Sequence, residues 1–162
     1  MIQRKVCMLG AFSVGKTSLV RQFVSSLFDD KYLTTIGVKI DKKSVVQGDQ
    51  EVTLMLWDLA GEDAYNTIKP SQLRGASGCI IVVDGTRPNT LDVANDLITM
   101  VSETLGNVPV AIALNKADLK DNWLLDENLI KQLEQNHSVI ETSAKTGGNV
   151  DLMFNTLTEK ML

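Results

Sequence analysis

The sequence predicts an α/β fold. Short, nearly continuous apolar runs alternate with amphipathic stretches along the chain. Runs such as Gly78-Cys79-Ile80-Ile81-Val82-Val83-Asp84 mark strands covered on both faces. A glycine-framed loop, residues 10–17, lies between the first such run and the first helical stretch.

The elements follow in order. Val6-Cys7-Met8-Leu9 reads as a buried strand that stops at Gly10, and residues 16–25 as a helix. Residues 37–45 alternate with period two over their first half, as a half-exposed strand does. Gln47-Gly48-Asp49-Gln50 is a turn signal, and residues 51–58 return as the second arm of a hairpin. Alternation there puts Val52, Leu54, Leu56 and Asp58 on one side and Thr53, Met55 and Trp57 on the other. Residues 62–74 are polar, part loop and part helix, interrupted by Pro70. After the 78–84 strand, a helical stripe runs through Leu91, Ala94, Leu97, Ile98, Val101 and Leu105. Residues 108–114 form another buried strand, 124–135 a helix, 138–141 a short strand and 150–162 a closing helix. The total is about six strands and five helices.

With 162 residues, 44% of them apolar, the chain can bury a core without a metal or disulfide staple, and one domain over residues 1–162 is expected. The net charge of −4 and a pI near 5.0 argue against a nucleic-acid binder. Cys7 and Cys79 sit inside apolar runs and read as buried free thiols, which fits a reducing, cytoplasmic compartment. No apolar run approaches the roughly 18 residues of a membrane span. Residues 1–5 carry no signal-peptide core and residues 159–162 no prenylation cysteine, so no membrane anchor is expected in this chain.

Gly10-Ala11-Phe12-Ser13-Val14-Gly15-Lys16-Thr17 fits G-x-x-x-x-G-K-[ST] in the strand–loop–helix context that gives the motif its meaning. Glycines let the backbone curl so that N–H groups point at phosphate, and the following helix adds its positive end. Lys16 supplies a charge to the terminal phosphates, and Thr17 offers a hydroxyl to Mg²⁺, a hard ion that favours oxygen. The base is addressed by Asn115-Lys116-Ala117-Asp118, just after the 108–114 strand. A carboxylate at Asp118 accepts two bonds from the N1–H and N2–H₂ edge of guanine. Adenine would leave it unpaired, at about 1–3 kcal/mol or more. Asp58, at the end of an apolar strand and followed by Gly61, suits a water-mediated Mg²⁺ ligand. One threonine of Thr34-Thr35 could complete the Mg²⁺ shell when a third phosphate is present.

These motifs resemble those of small GTPases of the Ras superfamily, and of the Rab-type branch most. Residues 10–17, Thr35-Ile36-Gly37, Asp58-Leu59-Ala60-Gly61, residues 115–118 and Thr142-Ser143-Ala144-Lys145 correspond in order and spacing to the family's five nucleotide motifs. The resemblance implies a P-loop three-layer fold with six mostly parallel strands, helices on both faces and nucleotide at the C-terminal strand edge. It implies GTP and GDP with Mg²⁺ as cofactors and a switch that hydrolyses GTP. Loop residues 10–18, Ser18 included, would hold phosphate, with Lys16 on the β- and γ-phosphates. Thr17 and Thr35 would ligate Mg²⁺, with Asp58 behind a water. The Gly61 N–H would touch the γ-phosphate, and Lys16, Thr35, Gly61 and Glu62 would carry the hydrolysis. Phe28 would stack on guanine, its other reading being a core phenylalanine, and Tyr32 would also line the nucleotide. Asn115, Lys116 and Asp118 would hold the base. The Ala144 N–H would donate to guanine O6, with Ser143 and Lys145 beside it. An effector, an exchange factor and an activating protein would read loops 29–37 and 58–74 of a monomer.

Three features depart from the family. Glu62 stands where a glutamine usually orients the attacking water. An ionised Glu62 can only accept hydrogen bonds and brings negative charge toward the γ-phosphate. It either serves as a base or slows hydrolysis, and slow intrinsic turnover is the favoured reading. Phe12 occupies a position usually kept small: it either obstructs an arginine finger or swings outward over the nucleotide. Of an aromatic trio on Rab-type surfaces, only Trp57 remains, with Ile40 and Leu73 near the other two places. Trp57 reads equally as an exposed anchor or as packing. Trp123 reads as a helix-start packing residue, His137 as a solvent-exposed turn residue and Lys42-Lys43 as a solvated strand face. Other readings are a nucleotide-locked scaffold, a GTPase module of a larger polypeptide, and a P-loop ATPase or small-molecule kinase.

Overall fold

The computed structural model describes residues 2–28, 37–61 and 67–162. The elements are β1 (Ile2–Gly10), α1 (Lys16–Ser25), β2 (Val38–Gln47), β3 (Gln50–Leu59), α2 (Pro70–Leu73), β4 (Gly78–Asp84), α3 (Asn89–Leu105), β5 (Val110–Asn115), α4 (Glu127–Glu134), β6 (Ser138–Glu141) and α5 (Val150–Lys160). A 3-10 turn, Ala117–Asn122, joins β5 to α4. The six strands form one sheet in the order β2-β3-β1-β4-β5-β6, antiparallel only between β2 and β3. This is the α/β P-loop architecture the sequence predicts.

Strand alternation divides the core into two layers. Val6 and Met8 of β1, with Leu54, Leu56, Ile80 and Val82, pack against α1 and α5 through Leu19, Phe23, Phe154 and Leu157. Cys7 and Leu9, with Ile81, Val83 and Ile112, pack against α2, α3 and α4 through Leu73, Leu97 and Leu133. Cys7 and Cys79 are buried free thiols on paired β1 and β4 positions. The rings of Phe23 and Phe154 stack with centroids 3.9 Å apart and planes 6° from parallel, which fixes α1 on α5.

Several element ends differ from expectation. β1 begins at Ile2, because its polar first half pairs with β3 from Val52 onward. Pro70 opens α2 instead of interrupting a helix, at a position where its missing N–H has no partner to lose. Helix α4 starts at Glu127, where the Asp126 side chain accepts the Asn128 N–H at 2.8 Å. Trp123 therefore closes the 3-10 turn and does not start a helix.

Side-chain environments differ as well. His137 is half-buried beside Lys160, and burial first and that charge second hold its pKa below the usual imidazole value. Lys43 is no solvated face residue: its ammonium lies 4.3 Å from the Phe23 ring centroid and donates to the Phe23 carbonyl. Leu73 is fully buried, so it offers nothing to a partner. Trp57 is half-buried against the second layer, with the Lys5 ammonium 3.8 Å above its ring.

Phe154→Ala removes the ring that stacks on Phe23 between α1 and α5. It is expected to destabilise the fold by about 3–5 kcal/mol, seen as a lower urea midpoint at unchanged m.

Candidate functional site

Three parallel strands, β1, β4 and β5, and the antiparallel-paired β3 end at one edge of the sheet, and the loop after β6 reaches the same edge. In an open α/β sheet this edge is where ligands bind. The loop after β1 crosses it with Ser13 at φ 68° and Gly15 at φ 100°. Gly10 has no room for a side chain, since a Cβ there would lie 2.7 Å from the Val82 carbonyl oxygen. Gly15 is equally confined, its Cβ position being 2.4 Å from Asn115 Nδ2. Ala11 and Val14 are buried and anchor the loop, while Phe12 and Ser18 are half-buried. The Ser13 hydroxyl is buried without a hydrogen-bond partner among the described residues.

Lys16 opens α1 at 5% exposure, its ammonium 3.5 Å from the Ala11 carbonyl. Burial pushes its pKa down to about 8, partly offset by the nearby Asp58 carboxylate. Thr17 Oγ1 donates to Asp58 Oδ2 at 2.6 Å, so two hard oxygen donors meet at the start of α1, where the loop ends. Gly61 lies against the loop, and a Cβ there would be 2.6 Å from Phe12 Cα. Gly61 thus sets its own backbone against the backbone of the loop after β1.

Asn115 joins the far side. Its Nδ2 donates to the Val14 carbonyl at 2.9 Å, and its Oδ1 accepts from Thr142 Oγ1 at 3.2 Å and Ala144 N at 3.4 Å. The Ala144 N–H, expected on a base, is thus turned toward Asn115 by a long bond. Asp118 is exposed, and one of its oxygens accepts from Ser143 Oγ at 2.8 Å. Lys116 takes the left-handed conformation at φ 71°, and its ammonium pairs with buried Asp84 at 2.7 Å. Lys145 is exposed. Phe28 is 38% exposed and so no core residue. Tyr32, Thr35 and Glu62 lie outside the described residues, as do residues 29–36 and 62–66 of the two loops expected to read the third phosphate.

Three participants escaped the sequence reading. Burial pushes the Asp84 carboxyl up, but bonds from Lys116 and Thr86 outweigh it and hold the pKa below the usual value. Arg87 donates to two carbonyls of the loop after β1. Gln22 Nε2 donates to the Ala144 carbonyl at 2.7 Å and fixes that peptide from α1. The available signal was a carboxylate ending the buried 78–84 strand, at the edge where ligands bind. Gln22 carries no such signal, because a glutamine on a helix is ordinarily a solvated residue.

A profile of the Ras family matches residues 5–162. The Ras-related protein Rab7 of Drosophila melanogaster is 37% identical over 166 aligned positions, covering 98% of this chain and 80% of that protein.

The Lys16 shift has a thermodynamic consequence. In the ligand-free protein Lys16 titrates near 8, against 10.5 for an ordinary lysine. Between those values the unfolded chain binds more protons, so stability rises with pH across that window. Below it both states are protonated and the burial penalty stands in full. Urea titrations of wild type and Lys16→Met from pH 7 to 10.5 are expected to diverge by on the order of 1–3 kcal/mol, the wild type gaining relative to the variant.

Proposed function

Because the chain belongs to the Ras family, we propose that residues 10–17, 58–61, 115–118 and 142–145 form one guanine-nucleotide site within a GTPase domain spanning residues 1–162. The chain is a GTP-binding switch that hydrolyses GTP to GDP and phosphate, slowly on its own and in dependence on Mg²⁺, as its family does. The observation that carries the site assignment is the position of Asn115. It bonds the loop suited to phosphate and the loop suited to the base through one side chain.

In this reading the N–H groups of residues 11–16 and the Lys16 ammonium hold the β- and γ-phosphates. Lys16 is deeply buried, and a buried cation gains most from an anionic ligand that replaces its lost water. Thr17 and Asp58, already 2.6 Å apart, fit a hard divalent cation, and Thr35 joins them by its motif position. Mg²⁺ supplies charge compensation to the phosphates when bound. The Gly61 N–H meets the γ-phosphate from a backbone that lies against the loop. Asp118, held by Ser143 and open to solvent on its other side, accepts the guanine edge. The Ala144 N–H leaves its long bond to Asn115 for guanine O6. Phe28 stacks on the base, and Lys116 and Lys145 flank it. Asp84 keeps Lys116 in place. Glu62 follows Gly61 and takes the part of positioning the water. Its negative charge there disfavours approach of a nucleophile to an anionic phosphate, hence a low intrinsic rate.

Family members act through effectors, exchange factors and activating proteins. Here the exposed Val38 and Ile40 on edge strand β2, which follows loop 29–37 in the chain and pairs with β3 up to Leu59, offer the apolar surface for such partners. No helix among the described residues is long and apolar enough to cross a membrane. We read the compartment as the cytoplasm, in keeping with two buried free thiols, and the chain as a monomer.

Single-turnover phosphate release tests the reading. GTP with Mg²⁺ is expected to turn over, and GTP with EDTA or ATP with Mg²⁺ is not. Tight GTP binding without release would instead favour a locked scaffold. Asp118→Asn replaces an acceptor by a donor at the guanine N1–H and is expected to weaken GDP binding by at least about tenfold to a hundredfold, measured by fluorescent-nucleotide displacement. Glu62→Gln is expected to raise the single-turnover rate by about tenfold or more. An unchanged rate would remove Glu62 as the cause of slow turnover.

A further inference from the structure

We infer that Arg87 is a positioning residue that sets the phosphate loop for a nucleoside di- or triphosphate. The inference rests on residues 10–17 being that loop. Arg87 Nη1 donates to the Phe12 carbonyl at 3.0 Å and to the Ser13 carbonyl at 3.2 Å. The next carbonyl, that of Val14, accepts from Asn115 at 2.9 Å, and the preceding one, of Ala11, lies 3.5 Å from the Lys16 ammonium. Four consecutive carbonyls are therefore engaged by side chains. In a trans peptide the carbonyl of one residue and the N–H of the next point in opposite directions, and no peptide of the described chain is cis. Holding the Phe12 and Ser13 carbonyls turns the Ser13 and Val14 N–H groups away from Arg87 and toward the ligand side of the loop. Ser13 sits at φ 68°, a conformation a serine rarely adopts unaided, so these bonds act where the backbone most needs them.

Arg87 is itself anchored. Its N–H donates to the Asp84 carbonyl at 3.0 Å, and its carbonyl accepts from the buried Thr90 hydroxyl at 2.7 Å. Its guanidinium lies 3.8 Å from Asp84 Oδ2, the same oxygen that holds Lys116 at 2.7 Å. The buried Asp84 carboxylate thus supports a cation on the phosphate side and another on the base side. Among the described residues every hydrogen bond that Arg87 donates goes to a carbonyl, so its effect on phosphate runs through the loop.

The test compares the wild-type chain, Arg87→Ala and Arg87→Lys. Dissociation of fluorescent GDP and GTP is expected to be about tenfold faster in Arg87→Ala. The ³¹P resonance of the β-phosphate of bound GDP should shift with it. Arg87→Lys keeps a charged donor without the fork and should fall between the other two. A loss of general stability would not move the β-phosphate resonance of folded, GDP-loaded protein. If Arg87→Ala is too poorly folded to assay, the intermediate rate and shifted resonance of Arg87→Lys decide. Unchanged dissociation and an unchanged resonance would overturn the inference. So would unchanged dissociation with hydrolysis slowed by about a thousandfold, which would put Arg87 on the reacting phosphates themselves. A wild type that binds no guanine nucleotide would instead overturn the site assignment on which the inference rests.

Discussion

The carboxamide of Asn115 is the interaction on which the site depends. It is 1% exposed and bonds the loop after β1 through Val14 and the loop after β6 through Thr142 and Ala144. A carboxamide has donors on one end and an acceptor on the other, so a single side chain can satisfy a carbonyl and an N–H facing it from opposite loops. No carboxylate could do so without repelling the Val14 carbonyl. The same contact dictates Gly15: with Nδ2 2.4 Å from its Cβ position, any side chain there would displace Asn115. Two residues a hundred positions apart are thus mutually required by packing before any ligand is considered.

Around this centre the fold carries an uneasy charge distribution. Lys16, Asp58 and Asp84 are each at most 5% exposed, and buried charges are tolerated only with partners. Asp84 has them in Lys116 and Thr86. Lys16 is less well served, since its pKa falls despite the carboxylate nearby. A protein selected for stability alone would exchange such a lysine for an apolar residue. Its retention fits a site that meets its full electrostatic complement only when an anion arrives. That link, from burial to pKa to ligand, is independent of the family match and agrees with it.

The sheet, its order of elements and most of the site were legible because each has a local cause. Continuous apolar runs gave β4 and β5, period-two alternation gave the β2–β3 hairpin, and the glycine-framed loop fixed the strand-to-helix junction. What escaped was long-range. Trp123 looks like a helix-start residue, yet its indole N–H donates to the Lys116 carbonyl at 2.9 Å and its ring fills the space over Gly85. Lys43 looks like one of two strand-face lysines, but only the structure places it over Phe23. His137 looks like a polar turn residue, yet it is half-buried with the Lys160 charge nearby, a residue 23 positions on. Arg87 and Gln22 bond to backbone carbonyls, and a carbonyl has the same identity in every residue. No pattern of side-chain types could announce such a partner.

The two departures expected near the third phosphate, Phe12 and Glu62, are linked along the chain by Gly61. Gly61 packs its backbone on Phe12, with the Ala11 carbonyl oxygen 2.9 Å and Phe12 Cα 2.6 Å from its Cβ position. Glu62 is the next residue in the chain. Glu62, at the position where the family usually has glutamine, therefore follows in the chain directly after the glycine that packs on Phe12. The Phe12 peptide lies against Gly61, and Gly61 sets where the following residue starts. Arg87 holds that same Phe12 carbonyl from the other side. The loop crest at Phe12 is thus gripped between a guanidinium and a glycine backbone. Phe12 and Gly61 are in direct contact there, and changes at residues in such contact couple rather than add.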